Sequence, residues 1–110
     1  MHIRDSISKI LKYVDGISQD EFNQNSMIHD AVIRQIEIIG EASKNVPESF
    51  KNSYQTVPWK QMISMRNKVI HEYFGVRLNI VWEAVQNEIP PLKNVIERII
   101  SELPKLPLGF

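Results

Sequence analysis

The chain contains no cysteine, which excludes a disulfide framework and thiolate metal sites. It also lacks a long apolar run. Nothing in it approaches the roughly 18 to 20 residues that cross a bilayer, so no membrane association is expected. Glycine and proline are sparse, four and six among 110 residues, too few for a disordered chain. An excess of either charge is missing too, because 13 basic and 13 acidic residues cancel to a formal net charge of zero. A protein that coats nucleic acid by bulk attraction is therefore disfavoured, and any nucleic-acid contact has to be local. The opening MHIRDSISKI has no basic-then-apolar secretory pattern, so a cytoplasmic location is expected.

What is present is the composition of a folded domain, 43% hydrophobic and 24% charged. The length suits one compact domain over residues 1–110, too short for a second sizeable core. Charge is distributed unevenly despite its zero sum. Between Lys60 and Arg77, four basic residues (Lys60, Arg66, Lys68, Arg77) face one acid, Glu72. A bias of this size is the ordinary composition of a solvated helix face, and it also suits a local contact with an anion.

Apolar residues recur at helical spacing through most of the chain, and no segment alternates as a strand does. The fold class is all-α. A first helix is predicted over 3–14, with Ile3, Ile7, Ile10, Leu11 and Val14 on one stripe and Asp15-Gly16 as its terminator. Ser18 and Glu21 form a capping-box pattern before a short turn around Phe22. A second long helix is predicted over 26–45. Ala31, Val32, Gln35, Ile36, Ile38, Ile39 and Ala42 share one face of it, and the opposite face can pair Arg34 with Glu37 and Glu41 with Lys44. VPESFKNSYQTVPWK reads as loop with one helical turn. Pro58 then opens a third helix over 59–74. A helix over 79–88, a break at Pro90-Pro91, a last helix over 91–103 and a Pro-rich tail at 104–110 complete the chain. Four main antiparallel helices with short helical turns form the simplest bundle that buries these stripes.

The third helix carries the chemistry. Gln61, Ser64, Lys68 and Glu72 share its polar sector, with Met62, Ile63, Met65, Val69 and Ile70 opposite. Arg66 falls on the apolar arc, Tyr73 lies close to the same direction, and Asn67 and His71 line one margin. An unpaired guanidinium buried there costs several kcal/mol, so Arg66 must meet a carboxylate, carbonyls or a polar cleft. An intramolecular ion pair with Glu37 or Glu41, or extension along the rim, satisfies that need without any catalytic role. Taken singly, His71 also fits a helix C-terminus and Tyr73 a core aromatic.

No zincin, Walker A, dinucleotide or esterase motif occurs, and His2 and His29 are too far from His71 in sequence to suggest a ligand cluster, so no metal is expected. Arginine and histidine without metal are suited to phosphoryl chemistry on RNA. Guanidinium holds phosphate bidentately, and an imidazole of pKa about 6.5 exchanges a proton with a ribose hydroxyl or a leaving oxygen. One histidine is thin for two proton transfers, a shortage that a symmetric homodimer removes.

The run Arg66, NKVI, His71, Glu72, Tyr73 resembles the motif of the HEPN superfamily, in particular its HepT-like toxins: arginine, four residues, histidine, one residue, tyrosine. The resemblance extends over AVIRQIEIIGEASKNVP, VPWKQMISMRNKVIHEYFGV and IVWEAVQNEIPPL in family order. It implies an all-helical bundle that dimerises with its motif helices facing each other, and a toxin that cleaves tRNA or mRNA without metal. By the same resemblance Arg66 and His71 are the catalytic pair, Asn67 is a supporting polar neighbour, and Lys60, Lys68 and Arg77 are candidates for RNA contact. Tyr73 is the residue that a cognate antitoxin, a minimal nucleotidyltransferase of the MntA type, adenylylates to silence the toxin. ATP is then the antitoxin's substrate and this chain needs no cofactor. A second reading is a non-catalytic helical partner, or substrate-binding subunit, of such a nucleotidyltransferase.

Overall fold

A computed structural model of the chain describes residues 2–71 and 78–102, apart from the side chains of His2, Ile70 and His71. The described residues form seven helices and no strand: α1 (His2–Val14), α2 (Gln19–Gln24), α3 (Ser26–Lys44), α4 (Glu48–Ser53), α5 (Trp59–His71), α6 (Leu78–Asn87) and α7 (Ile89–Glu102). The all-α class expected from periodicity is the one observed. The Pro-rich tail at 104–110 lies outside the described residues.

Apolar spacing explains the arrangement. Ile3, Ile7, Ile10 and Val14 bury one stripe of α1, and α1 ends at Gly16, whose φ of 74° is open to a residue without Cβ. α3 is the central helix, packed between α1 and α5. That position changes its buried face from the expected one. Ile33, Gly40 and Ser43 are buried beside Val32, Gln35, Ile36 and Ile39, while Ala31, Ile38 and Ala42 are only half-buried. A helix covered from two sides buries a broader arc than one apolar stripe defines.

Shorter elements close the core. The segment around Phe22, expected as a turn, is the helix α2, with Ser18 at its N-cap accepting the Glu21 backbone N–H at 3.2 Å. The Ser18 hydroxyl also donates to the Glu21 carboxylate at 3.4 Å, so the capping pair closes through the side chains. Phe22 is fully buried, with its ring 6.0 Å from His29 and 5.2 Å from Trp82. It thereby ties α2 to α3 and α6. Asn25 caps α3 through its Oδ1, which accepts the Ile28 N–H at 3.2 Å.

The break expected at Pro90-Pro91 falls two residues earlier than the prolines. They sit in the first turn of α7, and the turn between α6 and α7 falls at Glu88. First-turn N–H groups have no intrahelical acceptor, so two prolines cost nothing there. Pro58 lies just before α5, one residue earlier than expected, and its carbonyl accepts the Met62 N–H at 3.1 Å. Among the described residues no helix is long and apolar enough to cross a membrane.

Phe22→Ala removes a buried side chain that joins three helices. The expected loss is about 3–5 kcal/mol, a large part of a small domain's stability, read as a lowered melting temperature by circular dichroism.

Candidate functional site

α5 can approach α3 because α3 turns two small residues toward it. Ser43 sits opposite Met62, its hydroxyl donating to the Ile39 carbonyl at 2.7 Å and lying 3.5 Å from the methionine sulfur. Gly40, one turn earlier on α3, sits opposite Arg66, one turn later on α5. The two helices are therefore antiparallel at this seam. A methyl group on Gly40 would overlap the Cβ and Cγ of Arg66, so the arginine's stem lies directly on the bare α3 backbone.

The start of α5 is anchored separately. The Trp59 indole N–H donates to the Tyr54 carbonyl at 3.1 Å, and Phe50 stacks near both rings, 4.7 Å from Tyr54 and 6.3 Å from Trp59. Val57 is buried beside them. With its first turn pinned, α5 has a fixed rotation. Trp59, Met62, Met65 and Val69 enter the core, while Lys60, Gln61, Ser64 and Lys68 face solvent.

Arg66 lies between these two faces. Its Nη2 pairs with the Glu41 carboxylate, and its Nη1 donates to Asn67 Oδ1 at 2.9 Å. Glu41 was open to an ion pair with either Lys44 or Arg66; among the described residues its partner is Arg66. Glu37, the other carboxylate considered for the arginine, instead meets Arg34 at 3.4 Å. The remaining Nε–H differs from both Nη groups. The Arg66 Nε–H is buried and has no hydrogen-bond partner, although buried donors are nearly always satisfied.

Thus Arg66 and Asn67, two of the expected site residues, come together. His71 ends α5, one turn beyond Asn67 in backbone register, which puts residues 67 and 71 on one edge of the helix. Tyr73 and Arg77 lie outside the described residues. Lys60 and Lys68 are exposed, and Lys68 is roughly 160° around α5 from Arg66 by helical register. It lines a cleft of about 370 Å³ between α5 and α6, together with Glu83 and Glu88. An adjoining, more apolar cleft of about 350 Å³ runs along α5 and α7 past Met62, Met65 and Leu92. Among the described residues no group of three His, Cys, Asp or Glu side chains gathers closely enough to hold a metal ion.

Gly40 and Ser43 were not expected at the site. One signal for Gly40 was available in the sequence: a glycine inside a long helix costs up to about 1 kcal/mol relative to alanine and usually has a packing reason.

Comparisons with known proteins point to one family. A family model described as "Ribonuclease HepT-like" matches residues 3–99. A protein of Methanocaldococcus jannaschii named "Gamma-glutamylcyclotransferase and putative RNase" is 46% identical over 104 residues, covering 94% of this chain and 47% of that protein. The chain thus spans about half the length of that relative. A "Putative RNase" of Caldanaerobacter subterraneus subsp. tengcongensis is 41% identical over 101 residues, 92% of this chain and 90% of its own. A "Probable ribonuclease HepT" of Thermococcus cleftensis is 41% identical over 97 residues, 88% of each chain. No solved structure matches the chain significantly.

Gly40→Ala tests the seam. Helix propensity favours alanine by up to about 1 kcal/mol, but the new methyl meets the root of the arginine side chain, and overpacking of this kind costs about 1–3 kcal/mol. The variant is expected to melt below wild type. A higher melting temperature would mean that the stem of Arg66 yields freely.

Proposed function

The chain belongs to the HepT-like ribonuclease family, and on that premise we propose that it is a metal-independent RNA endonuclease acting as a homodimer through Arg66 and His71. The observation that supports this reading is the state of Arg66. It is a guanidinium fixed by two partners, with a buried Nε–H unspent, one and a half turns before His71 on the same helix.

The chemistry needs an anion holder and two proton transfers. Arg66 binds the scissile phosphate and stabilises the charge that builds on its oxygens. One His71 takes the proton of the ribose 2′-hydroxyl as the 2′-oxygen bonds to phosphorus. The phosphorus–5′-oxygen bond then breaks, and the leaving oxygen receives a proton from the imidazolium of the second protomer's His71. The products are a 2′,3′-cyclic phosphate and a 5′-hydroxyl. Asn67 supports this by holding one edge of the guanidinium, and Lys60, Lys68 and Arg77 contact RNA phosphates farther along the strand.

Silencing is assigned to Tyr73. Its phenol oxygen attacks the α-phosphorus of ATP on a minimal nucleotidyltransferase antitoxin, pyrophosphate leaves and the phenolic proton is lost. The attached AMP adds bulk and a negative phosphodiester beside the catalytic residues, and both oppose RNA binding. The chain itself uses no cofactor, and toxin, antitoxin and RNA meet in the cytoplasm.

Purified wild type is expected to cleave tRNA or mRNA in EDTA, with Arg66→Ala and His71→Ala each lowering kcat/KM by about 10²-fold or more. If wild type leaves every RNA intact at concentrations where it is dimeric, the nuclease reading fails. A non-catalytic binding subunit of a nucleotidyltransferase then takes its place. Incubation with the nucleotidyltransferase and ATP should add whole AMP units to the mass of wild type and none to Tyr73→Phe. Equal labelling of the two proteins removes the assignment of Tyr73.

A further inference from the structure

We infer that Glu41 and Gly40 together are a positioning seat for Arg66, holding the guanidinium in one pose for an incoming phosphate. The inference rests on the reading of Arg66 as the phosphate-binding residue and deepens it. Nothing about fold stability accounts for the arrangement. The Glu41 and Arg66 side chains are 48% and 25% exposed, and a pair so accessible adds little to stability after screening. Against it stand the glycine in mid-helix and a buried unsatisfied donor, both of them destabilising. A leucine at position 66 would leave no buried donor unsatisfied.

Geometry gives the arrangement its sense. Gly40 removes the Cβ that would push the arginine stem off α3, which fixes where the chain of methylenes runs. Glu41 then takes Nη2 and Asn67 takes Nη1, which fixes the plane and rotation of the guanidinium. Neither partner uses Nε. A long flexible side chain is thereby held in one pose before substrate arrives, and that reduces the ordering cost of binding the transition state. Glu41 does this through an acceptor oxygen, and because glutamine keeps such an oxygen at the same reach, the role survives loss of the charge.

The test compares Glu41→Ala, Glu41→Gln and Glu37→Ala in steady-state RNA cleavage, with melting temperatures as a check on folding. Glu41→Ala is expected to lower kcat by about 10- to 100-fold with KM little changed, and Glu41→Gln to stay within about threefold of wild type. Glu37→Ala, which removes only the partner of Arg34, is expected to match wild type. An active wild type with an equally fast Glu41→Ala, or Glu41→Gln as slow as Glu41→Ala, overturns the inference. A second readout does not depend on activity. The Arg66 Nε–H resonance, followed by ¹⁵N-edited NMR, is expected to be sharp in wild type and exchange-broadened in Glu41→Ala. An inactive wild type removes the nuclease reading alone, whereas identical Arg66 resonances in the two proteins remove the seat.

Discussion

The stem of Arg66 lies on the bare backbone of α3 at Gly40, and the relation between the two helices follows from that contact. Antiparallel helices pack at a distance set by the side chains at their seam. Here the seam is made by Gly40 and Ser43 on one side and by Arg66 and Met62 on the other. Because the arginine runs along the groove rather than into the core, its charged end emerges where Glu41 and Asn67 can meet it. The rotation that allows this also sends Met62, Met65 and Val69 inward and leaves Lys68 on the far flank.

Holding α5 in that rotation requires fixed ends. Trp59 and Tyr54, with Phe50 and Val57, tie down its start, and α3 is itself fixed by α1 on its other side and by the Asn25 cap. The site therefore stands on a heavily packed helix pair rather than on a loop. In the proposed reading this rigidity is what lets one arginine act on phosphate without first being ordered by it. The clefts along α6 and α7 lie on the other flank of α5 and contribute no residue to the Arg66 cluster.

Much of this was legible in the sequence. Helix periodicity located the long helices to within a few residues, since a buried stripe has to recur every three to four positions however the helices pack. The motif residues were legible as well, because a charge on an apolar arc is improbable without a partner. Errors came where local rules meet neighbours. Two prolines read as the break itself, yet the chain turns at Glu88 and the first turn of α7 takes up both prolines. Six residues around Phe22 read as a turn, yet one buried aromatic touching α3 and α6 stabilises them as a helix.

The sequence by itself determined the all-α class, the amphipathic stripes and the need for a polar partner at Arg66. These depend on spacing along one chain and on the solvation energy of one group. Only the tertiary structure decided which carboxylate meets the arginine, why α3 carries a glycine in its middle and which nitrogen of the guanidinium is buried unpaired. Glu37 and Glu41 lie one turn apart on the same helix and are equivalent by pattern. The register and rotation of α5 against α3 separate them, and those are set by packing between residues 19 or more positions apart in the chain.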